Sequence, residues 1–200
     1  LKPQPNLKVD WSKKFVLDES GQRDRFEIVS NATLEIDLNE GKNGPVVIRA
    51  GHFNFGGHIR LTNVGENGKL IMYVEEISAT SGGVTIHPED RSKSGPEVFT
   101  LYYSGEDEFL NHQYEITGNI VSKSADLFFG QGVKLTGSVF VTGSDHSTVR
   151  ISGGAIAAPT ALVYAPNSTV ILQEGGMLNG AVVSRSFVAS GGTLTKFKAV

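Results

Sequence analysis

A short glycine-containing pattern recurs along the second half of this chain. Residues 116–121, 135–140 and 178–183 each read apolar, polar, Gly, small or polar, and then two apolar residues. Their glycines stand 19 and 43 residues apart, and residues 155–158 fall where an intermediate, degenerate copy is expected. A repeat of about twenty residues with several short strands per turn is typical of a β-solenoid, in which each coil buries its inward side chains against neighbouring coils.

Alternating segments and glycine-rich breaks also favour an all-β fold. Apolar and polar residues alternate with a period of two in several short segments, among them 34–38, 46–48, 59–61, 84–86, 133–135, 139–141, 149–151 and 170–172. Between these segments lie glycine pairs or near-pairs, which allow the chain to turn without steric cost. A hairpin sandwich would share these features but would not predict the recurrence of Gly118, Gly137 and Gly180. We therefore predict one parallel β-helix.

The first thirty residues do not show the repeat. We predict residues 1–30 to be an N-terminal extension or cap and residues 31–200 to be the β-helix domain. Trp11 and the apolar residues 15–17 are placed to cover the open end of the solenoid. Such a cap would protect a strand edge that otherwise invites association.

Composition excludes several classes of function. The 200 residues include no cysteine and carry a net charge of -3, so the chain has no thiolate metal site, no disulfide and no cysteine nucleophile. It also lacks the clustered Lys and Arg on which nucleic-acid affinity depends, so we expect no nucleic-acid partner. No run of about 18 apolar residues is present, and we expect membrane contact only through an N-terminal segment absent from this chain.

Charge is unevenly distributed. Residues 1–110 hold 12 Lys or Arg and 17 Asp or Glu, whereas residues 111–200 hold 6 and 4. Acid–base chemistry on a β-helix needs carboxylates from adjacent coils that project into one groove. The carboxylates of the second half do not share the repeat offset: Glu115, Asp126, Asp145 and Glu174. We expect solvated turn residues, and we predict no catalytic, cofactor-binding or metal-binding residue.

The C-terminal third resembles a known family. Residues 161–172 read ALVYAPNSTVIL, residues 175–184 read GGMLNGAVVS and residues 187–192 read FVASGG. This order resembles the ending of a bacterial domain that follows the membrane helix in PilX-like proteins of type IV pilus assembly and in related surface proteins. Residues 70–78 and 98–105 are similar to two earlier strands of that domain, although Glu75 and Glu76 stand where the family usually has glycine.

The resemblance implies a right-handed parallel β-helix without catalytic residues. It also implies a non-enzymatic cell-surface or pilus-associated role in assembly or adhesion, an extracellular location, and other pilus or surface proteins as partners. The pilin-type N-terminal helix of the family does not occur in these residues.

Several local clusters are candidate sites of lower rank. The acidic triplet Glu106, Asp107 and Glu108 could bind calcium, but it lacks the alternating ligands of a loop built around an ion. His beside a carboxylate can form a metal or catalytic pair, as at 87–90 and 145–146, but both segments read as polar turns. His52 and His58 would share a face only on an unbroken strand, and two glycines interrupt it.

Two alternatives from other functional classes remain open. The first is a carbohydrate-active or carbohydrate-binding β-helix, for which exposed aromatic residues could stack on sugar rings. The candidates for that role are Tyr102, Tyr103, Phe109, Phe128 and Phe129. The second is end-to-end association of stacked coils.

Overall fold

The computed structural model describes residues 1–11, 15–79, 83–91, 95–107, 110, 113–143, 147–192 and 194–196. These residues form short strands and two 3₁₀ turns, Asn39–Gly41 and Pro96–Val98. The first nine strands are β1 (Leu7–Val9), β2 (Phe15–Leu17), β3 (Gly21–Ile28), β4 (Thr33–Asp37), β5 (Val46–Phe55), β6 (His58–Thr62), β7 (Leu70–Ala79), β8 (Val84–Pro88) and β9 (Phe99–Tyr103). The next nine are β10 (Tyr114–Thr117), β11 (Asn119–Ser122), β12 (Leu127–Phe129), β13 (Lys134–Thr136), β14 (Val139–Val141), β15 (Thr148–Ser152), β16 (Ala155–Gln173), β17 (Met177–Ala189) and β18 (Leu194–Lys196).

The strands pair in parallel and stack into a β-helix with three faces. Face A is formed by β2, β4, β6, β8, β10, β13, the first residues of β16 and β17, and β18. Face B is formed by the first parts of β3, β5 and β7, then β9, β11, β14 and the middles of β16 and β17. Face C is formed by β1, the second parts of β3, β5 and β7, then β12, β15 and the ends of β16 and β17. The predicted parallel β-helix is confirmed.

Ladders of stacked apolar side chains fill the interior. Each inward residue pairs in register with an inward residue of the next coil, so the sheets bury one side chain per coil at each position. On face A the ladder consists of Leu34, Ile59, Ile86, Ile116, Leu135, Ile156 and Leu178, all buried. On face B it consists of Ile48, Met72, Leu101, Ile120, Val139 and Val163, all buried. The alternating segments are therefore strands with one face in the core.

The recurring glycines occupy one corner of the helix, between faces A and B. Thr117 pairs with Thr136, which places Gly118 and Gly137 one coil apart. The intermediate copy lies near its predicted position, since Ile156 pairs with both Leu135 and Leu178. In that copy three additional residues precede the corner, so that Ala161, and not the residue after Ala157, pairs with Gly180. The repeat is therefore confirmed, with a bulge where alanine replaces glycine.

Residues 1–30 contain strands of the same parallel stack. Leu7 pairs with Phe26, and Phe26 pairs with Phe53, in the same parallel stack as the later coils. Trp11 does not cover the interior, because 80% of its surface is exposed. The boundary at residue 30 and the capping role of this end stay predictions.

The first coil does not show the apolar sequence pattern, because two of its inward positions hold residues that are not large and apolar. Gly21 and Arg23 pair with Ile48 and Ala50, so they take positions that are apolar in the next coil. Arg23 is only 7% exposed, and its Nε and Nη1 atoms have no hydrogen-bond partner within the described part of the chain. Burial lowers the pKa of this guanidinium, while the nearby charge of Glu19 opposes that effect.

The C-terminal coil leaves apolar side chains uncovered. Phe187 pairs with Val170, which is buried, but Phe187 itself is 38% exposed because no described strand stacks beyond it. Self-association through this end stays a prediction.

Within the described residues, the structure contains no helix long and apolar enough to span a membrane.

Candidate functional site

Face B carries a row of large side chains on its outer surface. Successive coils place these residues directly above one another in the parallel register, at steps of about 4.8 Å. We call this row the aromatic ladder: Arg49, Tyr73, Tyr102, Val121, Phe140, Tyr164 and Val183. Tyr102 and Tyr164 are 37% and 41% exposed, which is high for aromatic residues inside a sheet. The ladder is therefore a surface feature rather than part of the core.

The upper part of the ladder is a preformed stack. The rings of Tyr73 and Tyr102 are nearly parallel, with centroids 4.8 Å apart and an interplanar angle of 16°. The guanidinium carbon of Arg49 lies 5.5 Å from the centroid of Tyr73, within the range of a cation–π interaction. Both faces of the Tyr73 ring are thus occupied, whereas Tyr102 has Tyr73 on one side and the shorter Val121 on the other.

A column of polar residues runs beside the ladder at the corner after face B. Backbone hydrogen bonds from Ser104 to Val74, from Lys123 to Tyr103 and from Thr142 to Ser122 link successive coils at this corner. The polar column therefore consists of Glu75, Ser104, Lys123 and Thr142. It lies two residues along the chain from the ladder, so its side chains border the same surface.

A cleft of about 420 Å³ lies between the aromatic ladder and the polar column, and we call it the Tyr102 cleft. Val121 lines the bottom of the cleft, because its side chain is shorter than that of Tyr102 in the preceding coil. Arg49 and Glu75 lie towards one end, and Lys123 and Thr142 lie towards the other. Within the described residues, Lys123 makes no ion pair, and the guanidinium of Arg49 packs against the ring of Tyr73.

The structure separates the aromatic residues that the sequence put forward. Tyr103 and Phe129 point inward and are 2% and 0% exposed, so they belong to the core. Tyr102 is exposed, and Phe128 lies on the outer surface of face C, with the guanidinium of Arg150 5.6 Å from its ring centroid. Phe109 lies outside the described residues. Tyr73, which the sequence did not single out, joins Tyr102 only because of the strand register.

The described carboxylates of the second half do not converge. Glu115 forms an ion pair with Arg91, Asp126 accepts a hydrogen bond from the backbone of Thr148, and Glu174 accepts one from Ser152. Asp145 and His146 lie outside the described residues, as does Glu108 of the acidic triplet. No group of three or more potential metal ligands occurs among the residues that the structure describes.

His52 and His58 lie on different faces, as the interrupting glycines predicted. On face C, His52 Nδ1 lies 3.1 Å from Glu76 Oε2, and His52 Nε2 lies 3.0 Å from Ser78 Oγ. A carboxylate, an imidazole and a hydroxyl in this order also form the relay of serine hydrolases. That relay depends on a water-excluded site with oxyanion donors, whereas the Glu76 side chain is 70% exposed. We interpret this trio as a solvated hydrogen-bond network.

On face A, His58 is partly buried between neighbouring coils. Its Nδ1 lies 3.0 Å from Thr85 Oγ1. Burial lowers the pKa of this imidazole, and the nearby His87 lowers it further. The folded protein therefore favours the neutral imidazole.

Acidification should destabilise the protein through His58. Below the ordinary histidine pKa of about 6.5, the unfolded chain takes up a proton more readily than the folded chain, so the free energy of unfolding falls. Urea midpoints measured between about pH 7.5 and about pH 5.5 should fall less in His58→Gln than in the parent protein. His87→Gln should retain most of the dependence, because burial is the larger cause. Equal pH dependence in the parent and His58→Gln would contradict this account.

Comparison with known proteins identifies no family for this chain. No protein-family model, curated protein or solved structure matches the chain. The Tyr102 cleft and the resemblance of residues 161–192 are therefore the two features that point to a function.

Proposed function

We propose that this chain is a non-enzymatic, rigid β-helix of a bacterial cell-surface or pilus-associated protein and that it binds carbohydrate through the Tyr102 cleft. The observation that carries the binding proposal is the cleft itself. Its volume of about 420 Å³ falls within the range of small-molecule sites, about 300 to 1,000 Å³. The resemblance of residues 161–192 to a pilus-associated domain supports the surface location, with pilus or other surface proteins as partners.

The surroundings of the cleft favour a sugar over an extended peptide. Strands β9 and β11 each have a parallel partner on both sides, so neither offers a free edge for a peptide strand. Recognition at this face must therefore use side chains. The cleft presents the ring of Tyr102 together with Ser104 and Thr142. The hydroxyl groups of these two residues donate to the backbone carbonyls of Val74 and Ser122, and their lone pairs can accept hydrogen bonds from sugar hydroxyls. An apolar ring face beside hydroxyl groups suits a sugar, which has both polar and apolar surfaces.

Replacement of Tyr102 tests the binding site. We expect Tyr102→Ala to weaken binding of an oligosaccharide by about tenfold or more, because a central aromatic contact would be lost. Tyr164→Ala is the matched control, since Tyr164 is equally exposed on the same face but does not line the cleft. Isothermal titration of both variants against a panel of neutral and acidic trisaccharides measures the difference. No binding to any member of the panel would overturn the proposal.

The absence of cysteine allows a direct test of location. In the full gene product, Glu66→Cys would place one thiol on an exposed turn, and Leu135→Cys would place one in the core. A membrane-impermeant maleimide applied to intact cells should label the first variant and leave the second unlabelled. Labelling of the Glu66 variant only after cell lysis would overturn a surface location.

The reactivity of Ser78 tests the non-enzymatic part of the proposal. Because its relay to Glu76 is open to solvent, Ser78 should not be activated, and a fluorophosphonate probe should not modify it. Mass spectrometry of the treated protein gives the measurement, with His52→Ala as the comparison. Stoichiometric labelling of Ser78 that disappears in His52→Ala would show an activated nucleophile and refute the proposal.

A further inference from the structure

We infer that the ligand of the Tyr102 cleft is an acidic sugar, in which a uronic acid ring stacks on the free face of Tyr102 and its carboxylate binds the Lys123 ammonium group. This inference rests on the proposed carbohydrate site and adds the chemical class of its ligand. Three features of the cleft carry it: a one-sided aromatic stack, a lysine without an ion-pair partner, and an uneven distribution of charge.

The aromatic stack leaves one ring face available. Tyr73 covers one face of Tyr102, and Val121 occupies the next position of the ladder. A valine side chain is too short to cover a phenol ring, so the second face of Tyr102 borders the cleft. The stack with Tyr73 and Arg49 also holds the Tyr102 ring in place before a ligand arrives, which lowers the entropy lost on binding.

Lys123 lines the same cleft and belongs to the coil that follows Tyr102 in the ladder. It follows Val121 by two residues, and it borders the cleft together with Ser104 and Thr142, its neighbours in the polar column. Adjacent coils place these neighbours about 4.8 Å above and below it. The column therefore offers one cation, which suits a carboxylate, between two hydroxyl groups that donate to the backbone and can accept hydrogen bonds from ring hydroxyls.

Charge differs between the two ends of the cleft. Glu75 lies in the coil of Tyr73, so its negative charge partly offsets that of Arg49 at that end. Two coils further on, about 10 Å away along the axis, Lys123 has no acidic counterpart among the described residues that line the cleft. An anionic group would therefore be favoured at the Lys123 end, next to the free face of Tyr102.

Matched ligands isolate the contribution of the carboxylate. The probes are a trisaccharide of glucuronic acid and its methyl ester, which keeps the sugar rings but removes the charge. The full chain should bind the acid about tenfold more tightly than the ester, because a charge-assisted hydrogen bond contributes more than a neutral one. This preference should shrink at high salt, since the site is partly open to solvent.

Matched variants assign the preference to one residue. Lys123→Gln should bind acid and ester equally and should bind the ester as well as the parent does. Lys134→Gln removes an exposed lysine from face A and should retain the preference. Tyr102→Ala should weaken binding of both ligands. Circular dichroism of each variant checks that the fold is preserved.

The outcomes separate this inference from the proposed function. If the parent binds acid and ester equally and Tyr102→Ala weakens both, the acidic-sugar inference is overturned while carbohydrate binding stands. If neither trisaccharide binds but neutral sugars of the panel do, the same conclusion applies. If a tetraglutamate peptide binds more tightly than either trisaccharide and loses affinity in Lys123→Gln, the ligand is an acidic peptide, and both proposals for the cleft fail.

Discussion

Replacement of Gly137 by alanine should lower the free energy of unfolding by roughly 3 to 5 kcal/mol. Gly137 has a φ of +156°, which L-residues rarely adopt, and a methyl group there would overlap the carbonyl oxygen of Gly118 in the preceding coil. The backbone of one coil would have to move away from the other, and the neighbouring ladder pairs would be disrupted. The shift in the midpoint of urea unfolding measures the effect.

Gly83→Ala is the control for this prediction. No atom of the described residues lies within 4 Å of a methyl group built at Gly83, so this substitution should change stability by less than about 0.5 kcal/mol. The comparison separates the corner position from a general cost of replacing glycine. A Gly137→Ala protein that unfolds at the same urea concentration as Gly83→Ala would show that this corner does not require glycine.

Replacement of Phe129 by alanine should also be severe, at about 3 to 5 kcal/mol. Phe129 is fully buried and pairs with Ile151, which in turn pairs with Leu172. Loss of the ring would leave a cavity inside a closed stack of coils, where neighbours above and below can relax only slightly. Chemical denaturation gives the change in free energy, and hydrogen exchange in β12 and β15 would report the same loss locally.

The adjacent phenylalanine provides a control of the same residue type. Phe128 points outward from face C, where Arg150 contacts its ring. Phe128→Ala should therefore cost about 1 kcal/mol or less. If the two substitutions had equal effects, the inward and outward assignment of β12 would be wrong.

Much of the fold could be predicted from local patterns. The inward residues alternate within each strand, and the corner glycines recur where the coil length is nearly constant, as between Gly118 and Gly137. The first coil was missed because Arg23 and Gly21 stand at inward positions. A pattern of apolar residues cannot reveal a coil whose interior positions are not apolar.

The candidate site could be predicted only in part. Tyr102 was a candidate for sugar stacking, but its contact with Tyr73 could not be found from spacing. Tyr73 and Tyr102 are 29 residues apart, whereas Tyr102 and Val121 are 19 apart. Because the loops between faces vary in length, no single period aligns the outer residues of successive coils.

The sequence by itself determined the class of fold, because strand alternation and glycine at a crowded corner are requirements that each short segment carries within it. Only the tertiary structure decided which side chains meet on the surface. Lys123 and Tyr102 border one cleft because interior packing and the parallel hydrogen bonds set the register of β9 and β11. The register between two strands exists only once their coils are stacked, so the residues of a single coil cannot reveal it.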